Sequence, residues 1–403
     1  MKILLSAYRC NPYDISEAYL AFKWLEILLK KYEIILLTTT ENSESLHQYF
    51  QDNFPHNLKI YTFEDSYPFK KNRIVKNALK LGYFIFNEKI YRFLRRNPQI
   101  VEHADLLFHK SPSSFRFYSS LSRFKKPFVI GPYGGGLKPP RELKKYFNKE
   151  PFLYKLRSLD QLILRFGPVK KQLNQTHRIL ITLDYLRDII PEKYNTKTLQ
   201  VLDTGITCST FNRKNGYPQN KVRILFVGRL TRYKGVEFLV KAFAKIHLNT
   251  PNAQLVLVGD GEERNYLEEL TSQLRIQNKV RFLGHLEREG VIREFNTASL
   301  FCFPSITESI GIVLLEAMSF ALPIITIGNG GPQYLCPDEG AIKLQLSNEE
   351  TLIQNLAGSL KRLIENPILR QEMGRFNRQY CLENYDWEII EKKILDIFDK
   401  ILA

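Results

Sequence analysis

Four charged residues in the second half of the chain are placed where they could bind a ligand that contains a diphosphate. Arg229 directly follows an apolar run, and Lys234 comes five residues later, just before a segment of helical periodicity. Glu308 and Glu316 lie within 306–331, the most apolar stretch of the sequence, where carboxylates without a function are rarely buried. Fixed cations stabilise a departing diphosphate, and carboxylates accept hydrogen bonds from sugar hydroxyls. These residue types therefore predict a site for a sugar carried on a diphosphate.

Gly311 lies between the two carboxylates and indicates how the chain places them. In one continuous helix, residues eight apart would lie about 80° apart, so neither a shared face nor opposite faces explain the pair. Gly311 instead favours Glu308 on a strand-to-helix loop, a helix that begins near Ile312, and Glu316 one turn into that helix. The N–H groups of 310–313 would then form an anion site at the helix start, with one carboxylate on either side.

The elements around these residues alternate between strand and helix. Continuous apolar strands between amphipathic helices are typical of a parallel sheet covered on both faces, so the charged residues should follow the carboxyl ends of its strands. The predicted strands are 222–228, 253–259, 280–284, 300–304 and 323–328, and the predicted helices between them are 236–248, 262–274, 288–298 and 312–320.

The first half has a similar but less regular pattern, and the chain ends in helices. Its predicted strands are 2–8, 33–40, 58–63, 105–110, 127–131 and 178–183, with a helix at 17–31 and terminal helices at 348–365, 368–384 and after Trp387. We therefore expect an α/β protein with two Rossmann-like doubly wound parallel-sheet domains facing a ligand cleft. The expected domains are 1–205, 206–385 and a C-terminal helix at 386–403 that crosses back to the first domain.

Composition sets the broad class of protein. The chain has 403 residues, 44% of them hydrophobic, which is enough for two cores without a disulfide or metal. Its five cysteines are scattered and form no zinc or disulfide pattern. No apolar run reaches the roughly 18 residues of a membrane span. These features predict a cytoplasmic protein that does not cross a bilayer.

The net charge of +16 is confined to one half of the chain. Residues 1–200 contain 34 Lys and Arg against 18 Asp and Glu, whereas 201–403 contain 24 of each. Basic and aromatic residues are interleaved at 70–97 and 141–171, a composition that suits an anionic membrane surface. We therefore expect peripheral association with the inner face of the cytoplasmic membrane, with a merely solvated basic face as the alternative. No nucleic-acid-binding motif accompanies the charge.

Five motifs in the second half occur in an order that resembles a known family. They are "GRL…KG" (228–235), "LVGDGEE" (257–263), "VRFLGHL" (280–286), "FPSITESIGIVLLEAMSFALPIIT" (303–326) and "GNGG" (328–331). Together they resemble the retaining glycosyltransferases of family 4, which have the two-domain GT-B fold. The resemblance implies a nucleotide-sugar donor as co-substrate, without a metal or other cofactor. It also implies that domain 1–205 binds the acceptor and domain 206–385 binds the donor.

The resemblance also implies roles for individual residues. Arg229 and Lys234 match residues that bind the donor diphosphate, Glu308 matches the acid that holds the donor sugar, and Glu316 matches the acid that binds the ribose. The remaining matches are the phosphate- and sugar-contacting backbone of Ile310, Gly311, Ile312 and Val313, and the base-pocket strand end with Arg281, Phe282 and Leu283.

Two segments of the first half, "AYRCNPYDISEA" and "GPYGGGLKP", resemble one bacterial branch of the same family. The resemblance implies that Ser16 and Glu17 contact the donor, although Asp14 and Ile15 replace the glycines that precede them in that branch. His109 matches a histidine that faces the donor sugar, and a structural role for this residue is an equally good interpretation.

The predicted activity is transfer of a sugar, with retention, to a saccharide or lipid-linked saccharide acceptor in cell-surface polysaccharide or glycolipid synthesis. A glycoside hydrolase that uses Glu308 and Glu316 is one alternative. A non-catalytic basic adaptor for membrane or nucleic acid is another. A dehydrogenase is not expected, because the third glycine of a dinucleotide fingerprint after Gly259 and Gly261 would fall on Arg264.

Overall fold

The computed structural model describes residues 1–14, 16–65, 81–147, 160–210 and 221–403. Two parts of the predicted basic regions, 70–80 and 148–159, therefore lie outside the described residues.

The chain forms two compact units that are not simply its two halves. The first unit contains Met1–Gly136, Phe152–Asp203 and Glu391–Ala403, and the second contains Leu137–Pro151 and Thr204–Ile390. The main division lies between Asp203 and Thr204. In addition, a segment of the first half belongs to the second unit, and the end of the chain belongs to the first.

The first unit is built on a seven-stranded parallel sheet of order β3-β2-β1-β4-β5-β6-β7. The strands are β1 Lys2–Ala7, β2 Glu33–Thr39, β3 Leu58–Phe63, β4 Leu106–Ser111, β5 Phe128–Tyr133, β6 Arg178–Ile181 and β7 Thr198–Gln200. The helices of this part of the chain are Glu17–Leu29, Thr40–Phe50, Leu81–Arg96, Pro98–Glu102, Asp160–Arg165 and Gly167–Gln175.

The second unit repeats the arrangement with a six-stranded parallel sheet of order β10-β9-β8-β11-β12-β13. The strands are β8 Val222–Val227, β9 Ala253–Val258, β10 Val280–Gly284, β11 Leu300–Phe303, β12 Ile324–Ile327 and β13 Ala341–Leu344. The helices are Val236–Ile246, Arg264–Gln273, Arg288–Thr297, Ile312–Ser319, Gly331–Leu335, Glu349–Glu365, Pro367–Asn384 and Trp387–Leu402, the last of which ends in the first unit.

Both sheets have the doubly wound Rossmann order, in which the strand sequence reverses beside the first strand. The central strands are apolar on both sides because helices cover both faces of the sheet, as Ile224, Leu225 and Phe226 in β8 illustrate. The predicted fold class is confirmed. The predicted strands omit β7 and β13, which are short, partly buried strands at the edges of their sheets and therefore lack a continuous apolar run.

The last helix is held in the first unit by aromatic packing and ion pairs. Phe398 is fully buried, with its ring 5.1 Å from that of Phe108 and 6.3 Å from that of Trp24. Asp399 bonds Lys31 at 2.5 Å and accepts the Tyr32 hydroxyl at 2.6 Å. This core explains why residues from Glu391 onward belong to the first unit.

Candidate functional site

Three strand-to-helix loops pack together at the carboxyl edge of the second sheet. They follow β8, β11 and β12, and in the sheet β11 lies between the other two. The Ile306 N–H donates to the Tyr233 carbonyl at 2.8 Å, which joins the first two loops. The Gly331 N–H donates to the Glu308 carbonyl at 2.7 Å, which joins the second and third. Backbone contacts therefore fix the spacing between the side chains of these loops.

Lys234 and Glu308 form an ion pair between the first and second loops. Their side chains are only 13% and 18% exposed, so the pair is screened less than a surface pair would be. The Lys234 ammonium also lies 5.0 Å from the centre of the Phe303 ring and 5.6 Å from that of Tyr233. The structure thus brings together a predicted diphosphate-binding cation and the predicted sugar-binding acid.

Arg229 lies on the same loop as Lys234 and has an exposed side chain. Its Nη2 donates to the Tyr233 hydroxyl at 2.7 Å. A guanidinium has five N–H donors, so a bond to one phenol is compatible with binding an anion as well. Tyr233 is a residue that the sequence analysis misses, because a tyrosine in a turn has no distinguishing pattern.

Gly311 precedes the helix Ile312–Ser319 and has left-handed backbone angles, with φ 85° and ψ 62°. A Cβ added there would lie 3.0 Å from Cγ of Glu308 and 3.0 Å from Cδ1 of Leu314. Glycine therefore permits both the turn and the close approach of Glu308. The first N–H groups of any helix have no partner inside it, so 310–313 present donors beside the Lys234–Glu308 pair.

Glu316 lies in the second turn of this helix and pairs with Arg288. Arg288 Nη1 is 2.6 Å from Glu316 Oε1, and the carboxylate side chain is only 10% exposed. Burial raises the pKa of Glu316, while the charge and hydrogen bond of Arg288 act in the opposite direction. Glu308 and Glu316 therefore pair with different cations.

Arg288 is a second residue that the sequence analysis misses. It begins the helix that follows β10, so like Arg229 and Lys234 it lies a few residues beyond the carboxyl end of its strand. That shared position is the signal that could have identified it. Arg281, Phe282 and Leu283 lie on β10 itself, the edge strand, with Arg281 exposed and the other two half-buried.

Gly259 and Gly261 serve close packing between neighbouring loops. A Cβ on Gly259 would lie 2.0 Å from the Gly228 carbonyl oxygen, and one on Gly261 would lie 2.5 Å from that of Leu230. These clashes would push the loop after β9 away from the loop that carries Arg229. The glycines therefore support the site through backbone packing.

His109 lies on β4 in the first unit and is 1% exposed. Burial lowers the pKa of His109 to about 4, with smaller opposing effects from the Pro112 backbone and the charge of Glu17. The imidazole is therefore neutral at physiological pH.

Glu17 and Ser16 mark the start of the helix Glu17–Leu29. The Glu17 carboxylate accepts the Ser113 N–H at 2.6 Å and the Ser113 hydroxyl at 3.2 Å. Ser16 is exposed and has φ 57°, an uncommon angle for a residue other than glycine. In this structure Glu17 therefore organises the loop after β4.

A buried ion pair lies next to His109. Lys110 is fully buried, and its ammonium is 2.9 Å from the Asp203 carboxylate, whose side chain is 7% exposed. The ammonium also lies 5.2 Å from the centre of the Trp24 ring. Burial raises the pKa of Asp203, and Lys110 opposes that effect.

Two kinds of feature are missing from the part of the chain that the structure describes. None of its helices combines the length and apolarity that a bilayer span requires. Its His, Cys, Asp and Glu side chains form no group of three that could hold a metal ion.

Known proteins share the fold of the whole chain and the sequence of its second half. Residues 209–380 match the family described as glycosyl transferases group 1. The structure also resembles that of Anabaena HepE in complex with UDP and glucose, with a TM-score of 0.64 and 16% identity over 99% of this chain and all of that one. The chain has the architecture of GT-B glycosyltransferases, two Rossmann-like units with parallel sheets.

Curated relatives match about half of the chain. An uncharacterized glycosyltransferase of Methanocaldococcus jannaschii is 33% identical over 189 residues, 47% of each chain. The GDP-mannose-dependent monoacylated alpha-(1-6)-phosphatidylinositol monomannoside mannosyltransferase of Corynebacterium glutamicum is 30% identical over 197 residues, 47% of this chain and 50% of that protein. The chain thus spans about half the length of the curated relatives it matches.

Proposed function

We propose that this protein is a retaining, metal-independent glycosyltransferase that moves a sugar from a nucleoside diphosphate to an acceptor hydroxyl. The observation that carries the proposal is the Lys234–Glu308 pair beside the start of the helix Ile312–Ser319. A cation, a carboxylate and helix-end N–H groups are the partners that a sugar diphosphate needs. The match of 209–380 to the glycosyl transferases group 1 family supports the same activity.

The donor-binding roles follow from the chemistry of each group. Arg229, Lys234 and the N–H groups of 310–313 bind the diphosphate and stabilise its charge as it leaves. Glu308 orients the sugar hydroxyls and Glu316 binds the ribose, because ionised carboxylates accept hydrogen bonds from hydroxyl groups.

Two further groups of residues complete the proposed donor site. Arg281, Phe282 and Leu283 flank the base, and Ser16, Glu17 and His109 serve the donor from the first unit.

In the proposed reaction, a bond forms between the acceptor oxygen and the anomeric carbon of the sugar. The bond from that carbon to the diphosphate oxygen breaks on the same face, which retains the anomeric configuration. The acceptor proton passes to the departing diphosphate, so no protein nucleophile is required. A hydrolase would use Glu308 and Glu316 as acid and nucleophile across one bond. The structure instead pairs each of them with its own cation.

Nucleotide binding is the direct test. We expect thermal stabilisation of the full chain by one of UDP, GDP, ADP or CMP, and a much smaller shift in the variants Arg229→Ala and Lys234→Ala. Lys245→Ala, an exposed lysine at the end of the helix Val236–Ile246, is the matched control. A wild-type protein that none of these nucleotides stabilises would contradict the proposal.

Stereochemistry and metal dependence need separate measurements. The donor for this measurement is a sugar nucleotide that carries the base selected by the thermal-shift test. NMR should show that the first product has the same anomeric configuration as this donor. Turnover should be unchanged by EDTA. An inverted product or a loss of turnover that Mg²⁺ or Mn²⁺ restores would contradict the corresponding part of the proposal.

We also propose that the first unit binds the anionic inner face of the cytoplasmic membrane, where saccharide acceptors linked to lipid are found. Phe84 and Phe166 are 43% and 63% exposed, and both line a cavity of about 590 Å³ whose lining is almost entirely apolar. Three exposed cations are close to Phe166 in sequence: Arg165 directly precedes it, and Lys170 and Lys171 follow within five residues. Exposed aromatic rings beside basic side chains suit an interface with anionic lipid.

Part of the basic sequence that was predicted to bind the membrane is not included in this proposed surface. Residues 141–147 belong to the second unit, and Tyr146 and Phe147 are buried there. The surface that we propose therefore contains 81–97 and 163–171 among the described residues.

Liposome flotation tests the membrane proposal. The protein should float with anionic vesicles and not with neutral ones, and Phe84→Ser with Phe166→Ser should abolish flotation. Leu248→Ser, a change at an 81% exposed leucine of the second unit, is the control and should have no effect. Equal flotation of the double variant and the wild type would exclude this surface.

A further inference from the structure

A short segment from the first half of the sequence packs around the charged loops of the second unit. We call residues 137–147 the crossing segment; they directly follow Gly134, Gly135 and Gly136 and belong to the second unit. At one end, a Cβ placed on Gly330 would lie 2.3 Å from Cδ1 of Leu137. The crossing segment is therefore in contact with the loop after β12.

The other end of the crossing segment is anchored more extensively. The Tyr146 ring lies 4.9 Å from that of Phe238 in the helix Val236–Ile246. The Lys145 ammonium is 2.6 Å from the Glu349 carboxylate, and Lys241 is 2.8 Å from the same group. These contacts hold the end of the segment against the helix that follows the Arg229 and Lys234 loop.

Phe147 is the residue that connects this segment with the candidate site. Its ring stacks on Tyr233, with 6.0 Å between the centres and 21° between the planes. Phe147 is 6% exposed and Tyr233 is 8% exposed. The Tyr233 hydroxyl in turn accepts the hydrogen bond from Arg229 at 2.7 Å. A continuous chain of contacts therefore runs from Phe147 through Tyr233 to the Arg229 guanidinium.

This chain of contacts restrains a side chain that would otherwise be mobile. Arginine has several rotatable bonds, and Arg229 is exposed, so its guanidinium needs a partner to keep one orientation. Tyr233 supplies that partner only while its own ring is held in place. Phe147 covers one side of the ring, so its removal leaves a gap into which the ring can move.

We propose that Phe147 is a positioning residue for Arg229, so that the crossing segment completes the donor site of the second unit. The inference rests on the proposed function, because it assumes that Arg229 binds the donor diphosphate. It adds that Phe147, which is far from Arg229 in sequence and buried against Tyr233, sets the affinity for the diphosphate.

A double-mutant cycle on the full chain tests the proposal. Affinity for the nucleoside diphosphate that stabilises the wild type is measured by calorimetry for Phe147→Ala, Tyr233→Phe and the combination of both. Phe147→Ala should weaken binding about threefold to tenfold, the range for one aromatic pair. In the Tyr233→Phe background, which lacks the hydroxyl bonded to Arg229, the same change should have less than about half that effect on the binding free energy.

Two further variants separate positioning from loss of structure. Phe147→Tyr keeps the ring and should retain wild-type affinity, and Phe147→Leu keeps most of the volume if the alanine variant does not fold. Phe376 and Tyr380 stack on each other within the helix Pro367–Asn384 of the same unit. Phe376→Ala removes this unrelated aromatic pair and should leave nucleotide affinity unchanged.

The outcomes distinguish this inference from the proposed function. Failure of the wild type to bind any nucleoside diphosphate would overturn both. Wild-type binding together with unchanged affinity in Phe147→Ala and Phe147→Leu, or with equal effects of Phe147→Ala in both backgrounds, would overturn the positioning role alone.

Discussion

The two units have the same strand order, but the ion pairs near the point where that order reverses are buried to different extents. In the first unit the reversal lies between β1 and β4, and in the second between β8 and β11. Ligands of doubly wound sheets bind at this position, outside the carboxyl ends of the strands. Residues beside the reversal are therefore at equivalent positions in the two units.

In the first unit Arg9 follows β1 and is exposed, but other charged groups near the reversal contact neighbouring protein groups. Lys110 and Asp203 neutralise each other in the core, and Glu17 bonds the loop after β4. In the second unit Arg229 is exposed, and the pair of Lys234 with Glu308 is partly exposed. The same scaffold thus holds an almost completely buried ion pair in the first unit and a partly exposed ion pair in the second.

The largest effect that we expect comes from breaking the buried pair of the first unit. Lys110→Ala would leave the Asp203 carboxylate buried without its cation, which should cost about 3–5 kcal/mol of unfolding free energy. Denaturant unfolding followed by fluorescence measures this change. The chain has two tryptophans, Trp24 in the first unit and Trp387 in the second, so a Trp387→Phe background reports on the first unit.

A matched double variant shows whether the charge itself is responsible. Lys110→Met with Asp203→Asn removes both charges and should recover most of the lost stability, since no buried charge is then left without a partner. Equal destabilisation by the double and the single variant would mean that packing, not charge, distinguishes the first unit.

The next effect is a pH dependence that is specific to the first unit. Burial lowers the pKa of His109 from 6.5 to about 4, so the folded ring takes up a proton less readily than the unfolded one. The unfolded state therefore binds more protons between these two pH values, and stability falls as the pH decreases through that window. The loss should be about 3 kcal/mol.

His109→Gln removes the titrating ring. In the same Trp387→Phe background, the free energy of unfolding of this variant should depend less steeply on pH. His247→Gln changes a half-buried histidine of the second unit and should leave the pH dependence of the first unit's stability unchanged. A slope that survives in His109→Gln would show that other groups cause the acid sensitivity.

A loss of turnover, with little loss of stability, should mark the second unit. Arg229→Ala or Lys234→Ala should each lower kcat about a hundredfold, the effect of losing one preorganised donor to a developing negative charge. Steady-state kinetics with the sugar nucleotide gives the measurement, and thermal unfolding gives the comparison with Lys110→Ala. Unchanged kcat in both variants would refute their catalytic assignment.

The smallest effect concerns Arg288 and donor binding. Removing Arg288 takes away the influence that lowers the pKa of Glu316, so Arg288→Ala should raise that pKa further. A protonated carboxyl accepts fewer hydrogen bonds from a ribose, so donor KM should rise several-fold at acidic pH and recover as the pH increases. Arg288→Lys keeps the charge and should behave as the wild type. A KM that changes equally at every pH would show that Arg288 acts in another way.

The sequence by itself determined the class of fold and the main charged residues. Continuous apolar strands between amphipathic helices predict two doubly wound sheets, and both are present. Gly311 predicts a helix beginning at Ile312, which the structure shows, because only glycine adopts that turn without strain. These are local signals, carried by neighbours in the chain.

Only the tertiary structure decided which of these residues contact each other. Lys234 with Glu308, Arg288 with Glu316 and Lys110 with Asp203 join residues from different parts of the chain, and no local pattern encodes such pairs. The crossing segment has the composition of an exposed basic region, yet Phe147 is buried against Tyr233. The physical reason is that burial and ion pairing depend on which surfaces the completed sheets bring together, and the chain's local periodicity does not contain that information.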